Sequence, residues 1–330
     1  MKKYDLICIG DTTVDAFIKL HDASLQCDKD HEHCKLCMPF ADKVPYESLT
    51  VVPAVGNSSN VAVGAARLGL KSACLNAVGA DYFGRQILDV YKKEKVGAEL
   101  VKLNPGLPTN YHFVLNFHAE RTILIKHQKY SYYSPSKIGT VPWIYFSSIA
   151  EHTLPFHHEL ARYLKAHKEI KMGFNPGTFQ LLLGAKKLKD VYRNTYALFV
   201  NRQEAQKILK VNNPEIGQLF KGLHKLGPKI VAITDGPKGA YASDGRSQYF
   251  MPIYPDPKPP LERTGAGDSF AAGFMAALVR NLPMTEALKW GPVNAMSVVQ
   301  EIGAQKGLLT KSQLLNYLRK APKSYQPRKI

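Results

Sequence analysis

Over most of the chain, short apolar runs ending on a polar or glycine residue alternate with segments whose apolar residues recur at helical spacing. "YDLICIG", "KSACLNAVG", "WIYFSSI", "IKMGFN", "YALFVN" and "KIVAITDG" are of the first kind, and "SSNVAVGAARLG", "FGRQILDVYKKEKV" and "EIGQLFKGLHKLG" of the second. Runs that are apolar throughout suit strands covered on both faces, so the pattern predicts a mostly parallel sheet flanked by helices, an α/β class. Ligands of such sheets bind beyond the carboxyl ends of the strands. Asp11, Asn175, Asn201 and Asp235 fall at those ends.

Two stretches break the alternation. Residues 16–55 hold a cysteine cluster and the strand-like "ESLTVVPAVG", and residues 109–127, "TNYHFVLNFHAERTILIKH", read as two extended runs around the turn "HAER". Extended chain inserted into an α/β core predicts a small second sheet, either a flap over a site or an edge without a role. Neither an internal repeat nor a low-complexity linker interrupts the 330 residues, which predicts one domain over 1–330.

The hydrophobic content of 45% suffices for a core, and no apolar run approaches the roughly 18 residues of a membrane span. The apolar start from Leu6 to Ile9 ends at Gly10-Asp11, so it reads as a strand and not a signal peptide. A cytoplasmic protein is the expectation, without membrane partners. Lys and Arg outnumber Asp and Glu by 44 to 27, a surplus that suits anionic ligands. It is spread along the chain, only the tail "KAPKSYQPRKI" reads as a basic arm, and no nucleic-acid signature accompanies it. Cys8 and Cys74 sit in apolar runs and read as buried thiols. Cys27, His31, Cys34 and Cys37 crowd into "CDKDHEHCKLC", whose spacing fits tetrahedral Zn²⁺. Reduced thiols on a polar loop are the other reading, and a disulfide framework is not expected from five cysteines.

Four motifs carry possible chemistry. In "TGAGD", Thr264 to Asp268, glycines let backbone N–H groups approach a ligand, and the apolar helix "SFAAGFMAALVR" follows. A helix N-terminus there stabilises a transferring phosphoryl group, and Asp268 can take a proton from an attacking hydroxyl. A simple helix cap is the competing reading. In "NRQE", Asn201 and Glu204 share one helix face and offer oxygen to Mg²⁺, or form a capping box. "TDGPKGAY" places Thr234, Asp235, Gly236, Lys238 and Gly239 in a turn where Lys238 can face phosphate. Asn57 and Asn60 in "VGNSSN", with Asp15, can read a sugar's hydroxyls. "GAARLGLKS" is not a P-loop, because Leu70 separates Gly69 from Lys71.

Taken together and in order, "GNSSN", "NRQE", "TDGPKGA" and "TGAGD" make the sequence resemble the ribokinase-like (phosphofructokinase-B-type) carbohydrate kinases, from "GDTTVD" through "IGAQKG". The resemblance implies a doubly wound sheet with a small β lid that is often a dimer interface. It further implies transfer of the ATP γ-phosphate to a sugar hydroxyl with Mg²⁺. On it Asp268 is the base, and the backbone of Gly265, Ala266 and Gly267 is the anion hole. Asn201 and Glu204 organise Mg²⁺ and phosphate, Thr234, Asp235, Gly236, Lys238 and Gly239 bind nucleotide, and Asn294 lies near adenine. Thr13, Asp15, Gly56, Asn57, Asn60 and Glu151 face the sugar. Two positions depart from the pattern. Val55 stands where the family pairs a glycine with Gly56, and Glu262-Arg263 replaces the Asp-Thr of the K⁺-activated members, so K⁺ activation is an open expectation. A nucleoside kinase, drawing base-stacking rings from "TNYHFVLNF", and a non-catalytic sugar or nucleotide sensor are the alternatives.

Overall fold

The computed structural model describes residues 3–28, 34–117 and 120–330. Its main sheet has ten strands. In spatial order they are Arg328–Lys329, Gln248–Met251, Ala240–Ser243, Ile230–Thr234, Thr195–Asn201, Lys171–Phe174, Trp143–Phe146, Leu6–Ile9, Ser72–Gly79 and Val101–Asn104. Every pairing from Ile230–Thr234 to Val101–Asn104 is parallel, and the three strands beyond Ile230–Thr234 add antiparallel. The strands Leu6–Ile9, Ser72–Gly79 and Trp143–Phe146 are buried at every residue, as the uninterrupted apolar runs require.

Helices cover both faces, so the sheet is doubly wound. One face packs under Asn57–Arg67, Ala266–Val279 and Met284–Val298, with Phe270, Phe274, Met275 and Trp290 in its core. The other packs under Leu154–Ala166 and Ile216–Leu226, with Phe156, Leu160, Phe220 and Leu223 inward. The chain leaves Leu6–Ile9 for Ser72–Gly79 on one side and takes up Trp143–Phe146 on the other. That reversal opens a crevice at the carboxyl ends of the strands.

A second sheet of four strands, ordered Tyr46–Val55, Thr13–Leu20, Tyr111–Phe117 and Glu120–Leu124, stands over that crevice. Its register places Asp15 beside His112, Phe17 beside Thr50 and Val114, and Asn116 beside Arg121. Side chains alternate between faces along a strand, so Asp15, Phe17, Lys19, His112, Asn116 and Arg121 share the face toward the crevice. Ile18, Leu49, Val51, Phe113 and Leu124 share the other.

Two expectations need correction. The tail is no free arm: Tyr325 is buried and donates from its hydroxyl to Lys289 O at 2.7 Å, and Arg328–Lys329 extends the main sheet. The zinc site is also overturned. Ser24–Cys27 and Cys34–Cys37 form a two-stranded hairpin in which Cys27 and Cys34 are paired neighbours joined by a disulfide. A cystine sulfur is no thiolate and cannot ligate zinc as one, so two of the four donors are consumed. Cys37 remains a thiol, and His31 lies outside the described residues. No group of three His, Cys, Asp or Glu disposed to hold a metal occurs among the described residues. Cys8 and Cys74 are buried thiols. No helix among the described residues is long and apolar enough to cross a membrane.

Candidate active site

The helix Ala266–Val279 opens at the crevice. Gly265 ahead of it takes φ 78°, and a Cβ there would stand 2.3 Å from the Cβ of Ala304, so only glycine fits the turn. The first intrahelical bond runs from Ser269 N–H to Gly265 O at 2.8 Å. The N–H groups of Gly267 and Asp268 come before it, where a helix lacks internal partners. A Cβ on Gly267 would meet no atom within 4 Å. The helix mouth therefore faces open space, a cavity of about 240 Å³ lined by Asn57, Asn201, Glu204, Thr234, Gly265–Asp268, Arg121 and Arg263 among others.

Asp268 sits at that mouth, 8% exposed. Its Oδ1 accepts from Asn57 Nδ2 and its Oδ2 from Asn60 Nδ2, each at 2.7 Å. Asn57 and Asn60 lie one turn apart at the start of Asn57–Arg67, so one helix face delivers both amides. Gln305 holds this arrangement from behind, donating to Asn60 Oδ1 at 3.0 Å and to Ala54 O at 2.6 Å. Burial raises the Asp268 carboxyl above its ordinary range, while Asn60, Asn57 and then the Arg121 charge pull it back. The resemblance assigned both asparagines to the sugar; here their amides hold the carboxylate.

Glu262 braces the same loop. Its Oε1 accepts from Thr264 N–H at 2.9 Å and its Oε2 from Gly303 N–H at 3.1 Å, with the side chain buried. It thereby ties the loop before the helix mouth to the "IGAQKG" segment through its own carboxylate.

Asn201 and Glu204 form the capping box, each accepting from the other's backbone N–H at 2.8 Å, and both also line the cavity. The two readings of this motif are therefore compatible. Burial raises the Glu204 carboxyl, opposed by the Asn201 N–H and reinforced by the Asp268 charge.

Beside Asp268 the small sheet presents Thr13 and Asp15. The Thr13 hydroxyl donates to Asp15 Oδ1 at 2.8 Å, and His112 Nδ1 is 3.6 Å from the same oxygen. Burial first, then Glu262 and Asp268, lifts Asp15 to about 6 against the Thr13 bond. Burial and His127 hold His112 down to about 4. At neutral pH the carboxylate thus faces an uncharged imidazole, and the pair is no salt bridge. Nε2 of His112 and Nδ2 of Asn110 are buried without a partner among the described residues. Asp11, deeper in, accepts from His127 Nδ1 at 2.8 Å and from the Tyr132 hydroxyl. Gly56, at φ 107°, lets its backbone pass where a Cβ would lie 2.7 Å from Asp11 O.

The remaining expected positions fall elsewhere. Of the "TDGPKG" turn, Thr234 lines the cavity, whereas Asp235 binds Arg202 at 3.2 Å and Gly236–Lys238 form an exposed 3₁₀ turn closed by Gly239. Asn294 is wholly buried; its Nδ2 donates to Ser269 O at 2.8 Å and its Oδ1 accepts from Leu309 N–H at 3.1 Å. With both ends of its amide engaged it is a strut between segments, and it does not line the cavity. Glu151 is exposed on a short 3₁₀ turn and does not line the cavity. Sequence reasoning overlooked Arg121, inside the "HAER" turn region, and Phe199. The signal for Arg121 was its place in a strand of period two, readable only once the register is known.

Known proteins are similar to this chain over most of its length. The fructosamine kinase FrlD of Bacillus subtilis is 29% identical over 254 residues, 76% of this chain and 84% of its own length. The structure of Arabidopsis thaliana ribokinase complexed with ribose and ATP superposes with a TM-score of 0.77 at 18% identity, over 96% of this chain and 99% of that one. A putative ribokinase II from E. coli, in complex with ATP and Mg²⁺, gives 0.78 at 16% identity over 97% and 100%. The profile of the pfkB family carbohydrate kinases matches residues 26–311, and with most of its length so covered this chain belongs to that family.

Proposed function

We propose that the protein phosphorylates a hydroxyl of a sugar with ATP, using Asp268 as the base. The observation that carries this reading is one buried carboxylate at an open helix mouth, both of its oxygens oriented by amides. Each carboxylate oxygen has a second lone pair, so Asp268 keeps its hydrogen bonds while taking the proton of the acceptor hydroxyl. The freed oxygen attacks the γ-phosphorus, the phosphoryl group moves to it, and ADP leaves. The N–H groups of Gly267 and Asp268 and the positive helix end stabilise charge on the moving group.

The described residues fit a nucleotide–Mg²⁺ complex: Glu204 and Asn201 line the same cavity as the helix mouth, and Mg²⁺ works through one or two such side chains plus phosphate. When bound, the ion neutralises phosphate charge. Both Glu262 oxygens accept from backbone N–H groups, so its own carboxylate holds that loop. Thr13 and Asp15 place the sugar from the small sheet, which acts as a lid. The outward face of that sheet exposes Leu49, Val51, Phe113 and Leu124, and a second copy of the chain covers it in a homodimer.

Replacing Asp268 by Asn keeps the size and removes the base. In an ADP-release assay across about a dozen sugars, kcat falls by roughly 10²-fold or more. Undiminished turnover refutes the assignment.

A further inference from the structure

Two arginines line the reaction cavity, and the mechanism above leaves both unused. Arg121 comes from the small sheet, on the strand Glu120–Leu124, and Arg263 from the loop just before the helix mouth. Both are exposed, and neither makes a hydrogen bond or ion pair among the described residues. Arg67, Arg202 and Arg280, by contrast, are engaged: Arg67 on Glu94 at 2.8 Å, Arg202 on Asp235 at 3.2 Å, and Arg280 on Leu68 O at 2.6 Å. Asp268 feels the Arg121 charge, but no carboxylate lining the cavity hydrogen-bonds to either arginine among the described residues. Asp268 is held by two amides, Glu204 by its capping box, and Glu262 nearby by two backbone N–H groups.

Two guanidinium groups with unspent donors, lining the same polar cavity as a helix N-terminus, match an incoming group rich in anionic oxygens. Guanidinium binds phosphoryl oxygens through two parallel N–H donors, a fork that lysine lacks. We infer that Arg121 and Arg263 form a clamp on the phosphoryl group in transit, adding to the backbone anion hole. This rests on the kinase reading above and extends it. Because Arg121 shares its sheet face with Asp15, the wall that contacts the acceptor also completes the charge clamp.

The test uses Arg121→Gln, Arg263→Gln, the double variant and both lysine variants, with thermal unfolding to confirm folding. Each Gln variant lowers kcat at least tenfold with acceptor KM changed less than threefold, since arginines on transferring phosphoryl groups act on the chemical step. Lysine restores only part of the loss. Binding of ADP with aluminium fluoride, probed in the presence of the sugar turned over fastest, weakens at least tenfold in each Gln variant, while binding of ADP alone changes less. The clamp is overturned if kcat stays within twofold of the parent, or if the loss appears only in acceptor KM, which would make the arginines readers of the acceptor. Full turnover by Asp268→Asn refutes the kinase mechanism itself, an outcome separate from failure of the clamp. Absence of phosphoryl transfer to any acceptor overturns both.

Discussion

The hydrogen bond from Asn60 to Asp268 should set the acid side of the pH–rate profile. Asn60 Nδ2 lies 2.7 Å from Oδ2 of a carboxylate that is 8% exposed. The bond favours the ionised form and opposes the upward push of burial. Removing it in Asn60→Ala makes Asp268 hold its proton more tightly, so the acid limb of kcat/KM moves to higher pH. A hydrogen bond to a charged group is worth about 1.5–3 kcal/mol. Asn57 still holds the other oxygen, and water can enter the space left by the amide, so the lower end applies. About 1.5 kcal/mol is roughly a tenfold smaller ionised fraction at any pH below the limb. At acid pH, kcat/KM therefore falls about tenfold relative to the parent, and on the alkaline plateau the two enzymes converge. Initial rates with a saturating nucleotide and limiting acceptor, measured over the acid and neutral range, give the profile. A limb that stays in place, or moves to lower pH, refutes the reasoning. A loss equal at every pH does so too, because it would make Asn60 a positioning residue without electrostatic effect.

Four further predictions concern other features. Gly267→Ala adds a methyl to open space and should leave the melting temperature unchanged or higher, since Ala is the better helix former by about 1 kcal/mol; turnover falls because the methyl fills the anion site. Gly265→Ala forces a φ of 78° and a clash with Ala304, so urea unfolding should show a loss of at least 1–3 kcal/mol. Glu262→Gln turns an amide N–H toward a backbone N–H of Thr264 or Gly303, costing about 1–3 kcal/mol in urea unfolding and lowering kcat through the loosened loop. Thiol titration of unreduced, denatured protein should count three thiols, Cys8, Cys37 and Cys74; five would refute the Cys27–Cys34 bridge.

Strand and helix identity was largely legible in the sequence, because both are written in local periodicity. A run such as "YALFV" carries its burial on both sides in its own composition, and "TGAGD" before an apolar helix announces a helix mouth within a dozen residues. Pairing over long separation is not local, and there the chain said less. Asn57 and Asn60 read as sugar ligands, yet they clasp a carboxylate more than 200 residues away. Asn294 and the tail looked available to ligands, and packing buried the one and paired the other into a sheet. Cysteine spacing read as a metal site or as reduced thiols, with no disulfide expected, and strand register instead set Cys27 opposite Cys34.

By itself, then, the sequence determined the α/β alternation, the glycine-lined entrance and the carboxylate at it, since each rests on neighbours within a few residues. The tertiary structure decided which groups hold that carboxylate, which arginines stand unspent around it, and which cysteines meet. Those depend on the order of strands and the register between them, and a period of two or of 3.6 residues carries no information about either.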